Sequence, residues 1–210
     1  MRNYLLALLV AIVGCSSGKS PDHDYLWLDP DVQLKVQNSL EEINISRPQI
    51  EFSNSSTASN CEQYFRHEGG VAETAANYAA RSHYLVCDAL KLAETWPPKS
   101  GGKSIDRDLS LCSSLNLASF KHSLRPRIET ENATLTQLFG AEAVDGVNTC
   151  TFRGEDRNFV LNAVLLVKES EKPKKMWVWV IDEIWDATYR SYEPVWFVFD
   201  ESKSMWIATQ

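Results

Sequence analysis

The strongest constraint on the fold is a series of apolar segments in the last third of the chain, joined by short polar links. The segments are rich in Val, Trp, Phe and Leu, and they cover residues 148–153, 159–168, 175–187, 194–200 and 205–209. β-Branched and aromatic residues favour strands, and links this short permit hairpins but exclude parallel crossovers. We therefore predict a four- to five-stranded antiparallel meander sheet over residues 146–210.

Helix signals precede the sheet. Asp29 and the proline after it favour the start of a helix over residues 30–40, with Leu40 on its buried face. The strongest helical pattern is the alanine-rich stretch 71–96, which stops at two prolines. A further helix is predicted from residue 104 or 106 to residue 122. Helices that pack on a meander sheet give the α+β fold class.

The N-terminus has the pattern of a secretory signal, with one positive charge, an apolar run over residues 4–13 and a small-residue exit. The run is too short to span a bilayer as a helix, which needs about 20 residues. The exit Ile12-Val13-Gly14-Cys15 resembles the lipobox of bacterial lipoproteins. The resemblance implies a palmitate-bearing lipid anchor on Cys15. Because Ser16 follows the cysteine instead of aspartate, it also implies an outer-membrane location facing the periplasm.

These signals divide the chain into three parts. Residues 1–14 are predicted to be a signal peptide, and residues 15–24 a lipidated tether whose Ser, Gly and Pro content is typical of a flexible linker. Residues 25–210 are predicted to form a single α+β domain, with a helical part over about 25–125 and a sheet part over about 146–210. This length is sufficient for one sizeable core.

Four cysteines remain in the domain, at Cys61, Cys87, Cys112 and Cys150. An even number in an oxidising compartment favours two disulfides, for which three pairings are possible. The alternative interpretation is a zinc site, but no two of these cysteines have the usual close spacing of a zinc-binding pair. If the two long helices lie antiparallel, Cys87 faces Cys112. We therefore predict the pairs Cys87–Cys112 and Cys61–Cys150.

Charge and broken motifs argue against several functions. A formal net charge of −7 without an extended basic cluster is unsuited to nucleic-acid binding. The G-x-S-x-G match at residues 14–18 straddles the predicted cleavage site, and residues 101–104 lack the first glycine of a phosphate-binding loop. His67-Glu68 lacks the second histidine of a zinc-protease motif. We predict no catalytic residue, no metal ligand and no cofactor.

Tryptophan is concentrated in the predicted sheet. Strand alternation places Trp177 and Trp179 on one face and Met176 and Val178 on the other, so both faces are apolar. Two interpretations follow: the chain covers both faces itself, or one face is left to a partner. Acidic residues follow the same strands, at Asp182, Glu183, Asp186, Glu193, Asp200 and Glu201. An aromatic centre with an acidic rim suits a basic partner. The predicted partner-binding residues are Trp177, Trp179, Trp185, Trp196, Asp182 and Glu183.

These observations favour a membrane-anchored periplasmic binding protein over an enzyme. The first hypothesis is an inhibitor or immunity protein that neutralises a toxin or hydrolase by protein–protein contact. The second is an accessory lipoprotein subunit of an envelope secretion or assembly machine. The third is a periplasmic hydrolase that uses paired carboxylates, whose spacing in the sequence does not distinguish them from a solvated acidic rim.

Overall fold

The computed structural model describes residues 24–67, 70–99, 109–124, 128–169, 172–185 and 189–209. The predicted signal peptide, Cys15 and most of the tether lie outside the described residues, as do Asp186 and residues 100–108, where the second long helix was expected to begin. In the part of the chain that the structure describes, no helix is both long and apolar enough to cross a membrane.

Within the described ranges the main sheet is antiparallel and has seven strands, of which six consecutive ones form a meander in the order β4-β5-β6-β7-β8-β9. The seventh, β1, pairs with β6, and β2 and β3 form a separate two-stranded hairpin. The strand bounds are β1 Asp24–Trp27, β2 Ile50–Glu51, β3 Thr57–Ala58, β4 Ala143–Asp145, β5 Thr149–Arg153, β6 Arg157–Glu169, β7 Lys172–Ile184, β8 Arg190–Asp200 and β9 Met205–Ala208. The predicted mixed fold with a C-terminal antiparallel meander is confirmed. The predicted count of four to five strands is wrong, because β4 is short and β1 is distant in sequence.

Strand β6 has two neighbours on the same side. Its first half pairs with β5 and its second half with β1, while β7 follows its whole length on the other side. A register shift between Ala163 and Leu165 marks a β-bulge at the change of neighbour. There the Leu28 N–H donates to the Val164 carbonyl at 2.8 Å. The bulge therefore lets one long strand hold the N-terminal strand and the C-terminal meander in one sheet.

The helices are short, with bounds α1 Pro30–Gln37, α2 Ser39–Glu42, α3 Cys61–Phe65, α4 Ala75–Arg81, α5 Leu85–Ala93, α6 Leu111–Ser114 and α7 Leu135–Phe139. Asp29 caps α1 as predicted, since its side chain accepts hydrogen bonds from the N–H groups of Asp31 and Val32. Leu40 is 87% exposed, so the prediction that it is buried is wrong. The alanine-rich stretch forms α4 and α5, joined by one 3-10 turn.

Two hydrophobic clusters pack against opposite faces of the sheet. One holds Met176 and Val178 of β7 with residues of α6, α7 and the loops around them. The other holds Trp177 of β7 with residues of α1, α3 and α5, and Trp179 packs at its margin. The predicted alternation of β7 is therefore confirmed. Both apolar faces are covered within the chain.

The four cysteines form two disulfides, but the predicted pairing is wrong. Cys61 bonds to Cys87 and joins α3 to α5, and Cys112 bonds to Cys150 and joins α6 to β5. The predicted antiparallel helix pair does not form, since residues 109–122 contain only the single-turn helix α6 and a 3-10 turn at 117–119. Helices α5 and α6 belong to the clusters on opposite faces, which separates Cys87 from Cys112.

Candidate functional site

One candidate site is an open cavity of about 460 Å³, which we name the Glu193 cavity. Helices α3, α4 and α5, the loop before α4 and strand β8 contribute to its wall. Its aromatic side chains are Phe52, Tyr64, Phe65 and Tyr78. Its ionisable side chains are His67, Glu73, Arg81, Asp88, Lys91 and Glu193. A cavity of this size falls in the range that receives small molecules or side chains.

Local capping and one buried amide position the wall. The Asn60 side chain accepts from the Gln63 N–H at 2.8 Å and starts α3, and Thr74 starts α4 in the same way. Asn77 on α4 is buried, and its amide donates to the carbonyls of Glu51 and Ala72 at 2.7 Å each. These bonds attach α4 to β2, while the Cys61–Cys87 disulfide attaches α3 to α5. Two attachments therefore hold the wall in place.

A buried ion pair lies at the base of the cavity. Arg81 Nη2 lies 3.0 Å from Asp88 Oδ2, and both side chains are less than a fifth exposed. Arg81 Nη1 donates to the Tyr64 hydroxyl at 2.7 Å, and that hydroxyl donates to Asp88 Oδ1 at 3.2 Å. Burial raises the pKa of Asp88, although Arg81 and Tyr64 oppose the rise. Burial, with the nearby Asp88 charge, also raises the pKa of Tyr64. Arg81 and Tyr64 thus both contact Asp88, whose Oδ2 is held by the ion pair alone and accepts no hydrogen bond among the described residues.

The other polar groups of the cavity differ in how they are partnered. His67 Nδ1 lies 3.0 Å from Ser56 Oγ, and His67 Nε2 lies 3.2 Å from the Thr57 carbonyl oxygen. Among the residues that the structure describes, none forms a hydrogen bond or an ion pair with the Glu193 carboxylate. Glu193 is exposed to solvent, and partial desolvation by the cavity wall raises its pKa, with Arg81 opposing the rise and Asp88 adding to it. Glu193 is thus a carboxylate available to a ligand.

A serine, a histidine and an aspartate approach one another on the opposite face of the sheet. Ser123 donates to Asp182 through both its N–H and its Oγ, at 2.6 Å each. The neighbouring His122 has both ring nitrogens against the backbone, with Nε2 2.8 Å from the Leu117 carbonyl oxygen and Nδ1 accepting from the Leu124 N–H. A serine nucleophile requires a histidine nitrogen free to take its proton. This cluster therefore acts as a structural tie between residues 122–124 and β7.

Replacing Asp182 with alanine should lower the free energy of unfolding by about 2 kcal/mol, because two donors of Ser123 would lose their buried acceptor. Asp200 is a matched control, since it accepts the same pair of bonds from Ser202 in an exposed turn. Urea unfolding of Asp182→Ala and Asp200→Ala would measure both effects. Equal stability of the two variants would contradict a structural role for the buried carboxylate.

The structure separates the predicted partner-binding residues. Trp177 is 4% exposed and Asp182 is fully buried, so neither can contact a partner, and this part of the prediction is wrong. The cause is that α1 and α5 cover the Trp177 face, while residues 122–124 cover Asp182. Trp179 and Trp196 are half-buried against the same cluster as Trp177. Only Trp185 of the four tryptophans is well exposed, at 49%.

Glu183 is half-buried at the same end of β7 and is bonded to its neighbours. It accepts hydrogen bonds from the Tyr192 hydroxyl and from Asn158 Nδ2. Burial favours a higher pKa for Glu183, but these two bonds and nearby Arg190 hold its pKa below the ordinary value. Burial and the bond to Glu183 raise the pKa of Tyr192 to about 12. Glu183 thus fastens β6, β7 and β8 together.

Replacing Tyr192 with phenylalanine should raise the pKa of Glu183, because one donor to the carboxylate is lost. A lowered native pKa stabilises the fold above the unfolded value of the carboxyl group, and this contribution disappears as the pH falls through the native pKa. The stability difference between Tyr192→Phe and the wild type should therefore be present at neutral pH and shrink in acid. Carboxyl NMR titration would measure the pKa, with Tyr25→Phe as the control. An unchanged Glu183 pKa would contradict the assignment.

One group of three potential metal ligands occurs among the described residues: Cys112, Asp145 and Cys150. The two cysteines are joined in a disulfide, and Asp145 Oδ1 accepts the Cys112 N–H at 2.9 Å. Sulfur atoms in a disulfide are not thiolates and do not act as zinc ligands. The group is therefore a disulfide with a capping carboxylate.

The comparisons with known proteins give no family for this chain: no family model, no curated protein and no solved structure matches it. The sequence did not predict the Glu193 cavity as a site, although Glu193 belonged to the predicted acidic rim. A weak signal was present in Arg81 and Asp88, two opposite charges within the alanine-rich stretch 71–96.

Proposed function

We propose that this chain is a lipid-anchored binding protein of the bacterial envelope that neutralises a toxin or hydrolase by protein–protein contact. The observation that carries the proposal is the Glu193 cavity. Its histidine, asparagine, arginine and Asp88 side chains are engaged in internal bonds, which leaves a fixed shape and an available carboxylate. Such an arrangement suits recognition, because a partner's side chain contributes most binding free energy when it enters a preformed pocket.

The disulfides and the acidic charge support the same function. Each of the two clusters contains one disulfide, so a cross-link stabilises the fold on each side of the sheet. A preorganised surface loses less conformational entropy on binding than a flexible one. The formal net charge of −7 would speed the encounter with a basic partner.

Lipid attachment at Cys15 is part of the proposal and has its own test. Cells fed a clickable palmitate analogue should label the wild-type chain, whereas Cys15→Ser should remain unlabelled because the acceptor sulfur is gone. Cys61→Ser is unsuitable as a control, since it breaks a disulfide. Ser16→Ala changes the neighbouring residue and keeps the sulfur, and it should label normally. Labelling of Cys15→Ser would refute the anchor.

The binding function is tested by capture followed by inhibition. The lipidated full-length protein, solubilised in detergent, serves as bait for envelope extract and for extract of competing bacteria. A captured toxin or hydrolase should lose its activity when the purified chain is added, with an end point at one molecule per partner. A stoichiometric partner that keeps its full activity would favour the accessory-subunit hypothesis and contradict neutralisation.

A further inference from the structure

The Glu193 cavity has an unbalanced negative charge. Three carboxylates line it, Glu73, Asp88 and Glu193, against the two cationic side chains of Arg81 and Lys91. Arg81 and Asp88 are paired with each other. The charges left to interact with a ligand are therefore two carboxylates and one exposed amine, within a chain of formal net charge −7. This balance favours a cationic ligand.

The aromatic wall favours the same charge. A cation over the face of a phenylalanine or tyrosine ring is attracted by the negative potential of the ring. The cavity already contains one example, because the Arg81 guanidinium carbon lies 5.6 Å from the centroid of the Tyr64 ring. Phe65 and Tyr78 also line the space and form no cation–π contact among the described residues. They offer ring surface to a second cation.

A guanidinium fits these features better than an ammonium. It is planar, stacks on aromatic rings and is more weakly hydrated, so it loses less on entering a partly buried cavity. It can also donate two parallel hydrogen bonds to one carboxylate, which matches an acidic side chain that has both oxygens available. Glu193 itself is exposed, so a guanidinium can reach its carboxylate from the open side of the cavity.

We propose that the Glu193 cavity receives an arginine side chain of the partner protein, whose guanidinium pairs with Glu193 and packs against the aromatic wall. This inference rests on the proposed binding function and adds the chemistry of the contact. It implies that the partner presents an arginine at the centre of its interface. Neutralising that arginine should weaken the complex as much as neutralising Glu193.

The first test uses N-acetyl-arginine methylamide as the probe and the mature chain in detergent as the protein. Amide NMR signals from α4 and β8 should shift when the probe is added, and the titration should fit a millimolar dissociation constant. The citrulline analogue, which has nearly the same shape without the charge, should bind at least about fivefold more weakly, as expected for one partly exposed ion pair. Equal binding of the two probes, or shifts only elsewhere, would overturn the proposal.

The second test changes the carboxylate. Glu193→Gln should weaken binding of the arginine probe by about fivefold, and Glu193→Lys should abolish that binding. Glu142→Gln is a matched control, since Glu142 is exposed and lies outside the cavity. Thermal unfolding of each variant shows whether the fold is intact. Undiminished binding by a folded Glu193→Lys protein would overturn the proposal.

The two proposals can fail separately. Capture of a partner that the chain inhibits would support the binding function. If Glu193 then affects neither the binding of the probe nor the affinity of the partner, the proposed arginine contact is wrong and the binding function remains. If the probe binds in the cavity and no partner is captured from either extract, the assignment to a partner protein is overturned. The cavity would then be a site for a free guanidinium compound.

Discussion

Replacing Trp177 with alanine is expected to lower the free energy of unfolding by about 3–5 kcal/mol, the usual cost of deleting a buried tryptophan. The side chain is 4% exposed and lies between β7 and the helices that cover it, where little relaxation can fill the space. Urea unfolding followed by circular dichroism would measure the loss.

Trp185 provides the matched control, because it is the same residue type, belongs to the same hairpin and is 49% exposed. Trp185→Ala should change the free energy of unfolding by about 0.5 kcal/mol or less. A similar loss in the two variants would show that the Trp177 face is not covered by the helices. It would then restore the predicted exposed aromatic face as a candidate partner surface.

Removing either disulfide is expected to lower the free energy of unfolding by about 3–4 kcal/mol, from the loop-closure entropy of the unfolded chain. The loops closed by Cys61–Cys87 and Cys112–Cys150 span 26 and 38 residues in sequence. Double substitution to alanine within each pair avoids free thiols, and thermal or urea unfolding would measure the effect. The longer loop should give the slightly larger loss.

The pairing itself has a direct check. Peptide mapping without reduction should recover Cys61 joined to Cys87 and Cys112 joined to Cys150. In addition, substituting both cysteines of one pair should leave the other disulfide intact, because each lies in its own cluster. Recovery of a Cys87–Cys112 peptide would contradict the arrangement of α5 and α6 on opposite faces.

The strands β5 to β9 were predictable because their information is local. Each is an apolar, β-branched or aromatic segment bounded by polar turns, and short links allow only antiparallel neighbours. β1 and β4 lacked such signals. β1 becomes a strand by pairing with the second half of β6. β4 has only three residues, and two of their side chains are exposed. Both depend on partners that single-sequence patterns do not contain.

The predicted second long helix is absent from residues 109–122 because long-range bonds compete with local helix propensity. Leu115 pairs with Trp206 in an isolated bridge, and the Asn116 N–H donates to the Trp206 carbonyl at 2.9 Å. These contacts hold residues 115–116 extended and end α6 after one turn. The wrong disulfide pairing followed from that helix, since Cys87 and Cys112 were placed together only by the assumed antiparallel pair.

The Glu193 cavity was unpredictable for a different reason. Tyr64, Arg81, Asp88 and Glu193 come from four separate elements, and no spacing in the sequence brings them together. Opposite charges within the alanine-rich stretch do not identify the surroundings of a buried pair. The cavity lies where α3, α4 and α5, held by the Cys61–Cys87 disulfide and the Asn77 bonds, meet β8.

The position of β1 has a mechanical consequence. Any pull on the chain ahead of Asp24 enters the molecule through the four residue pairs that join β1 to β6, next to the middle of the sheet. Just beyond β1, Asn162 Nδ2 donates to Asp29 Oδ2 at 2.7 Å, so the start of α1 is fastened to the same strand. If Cys15 carries lipid, tension from the membrane is spread over this joint and reaches the longest strands before the helices that form the cavity.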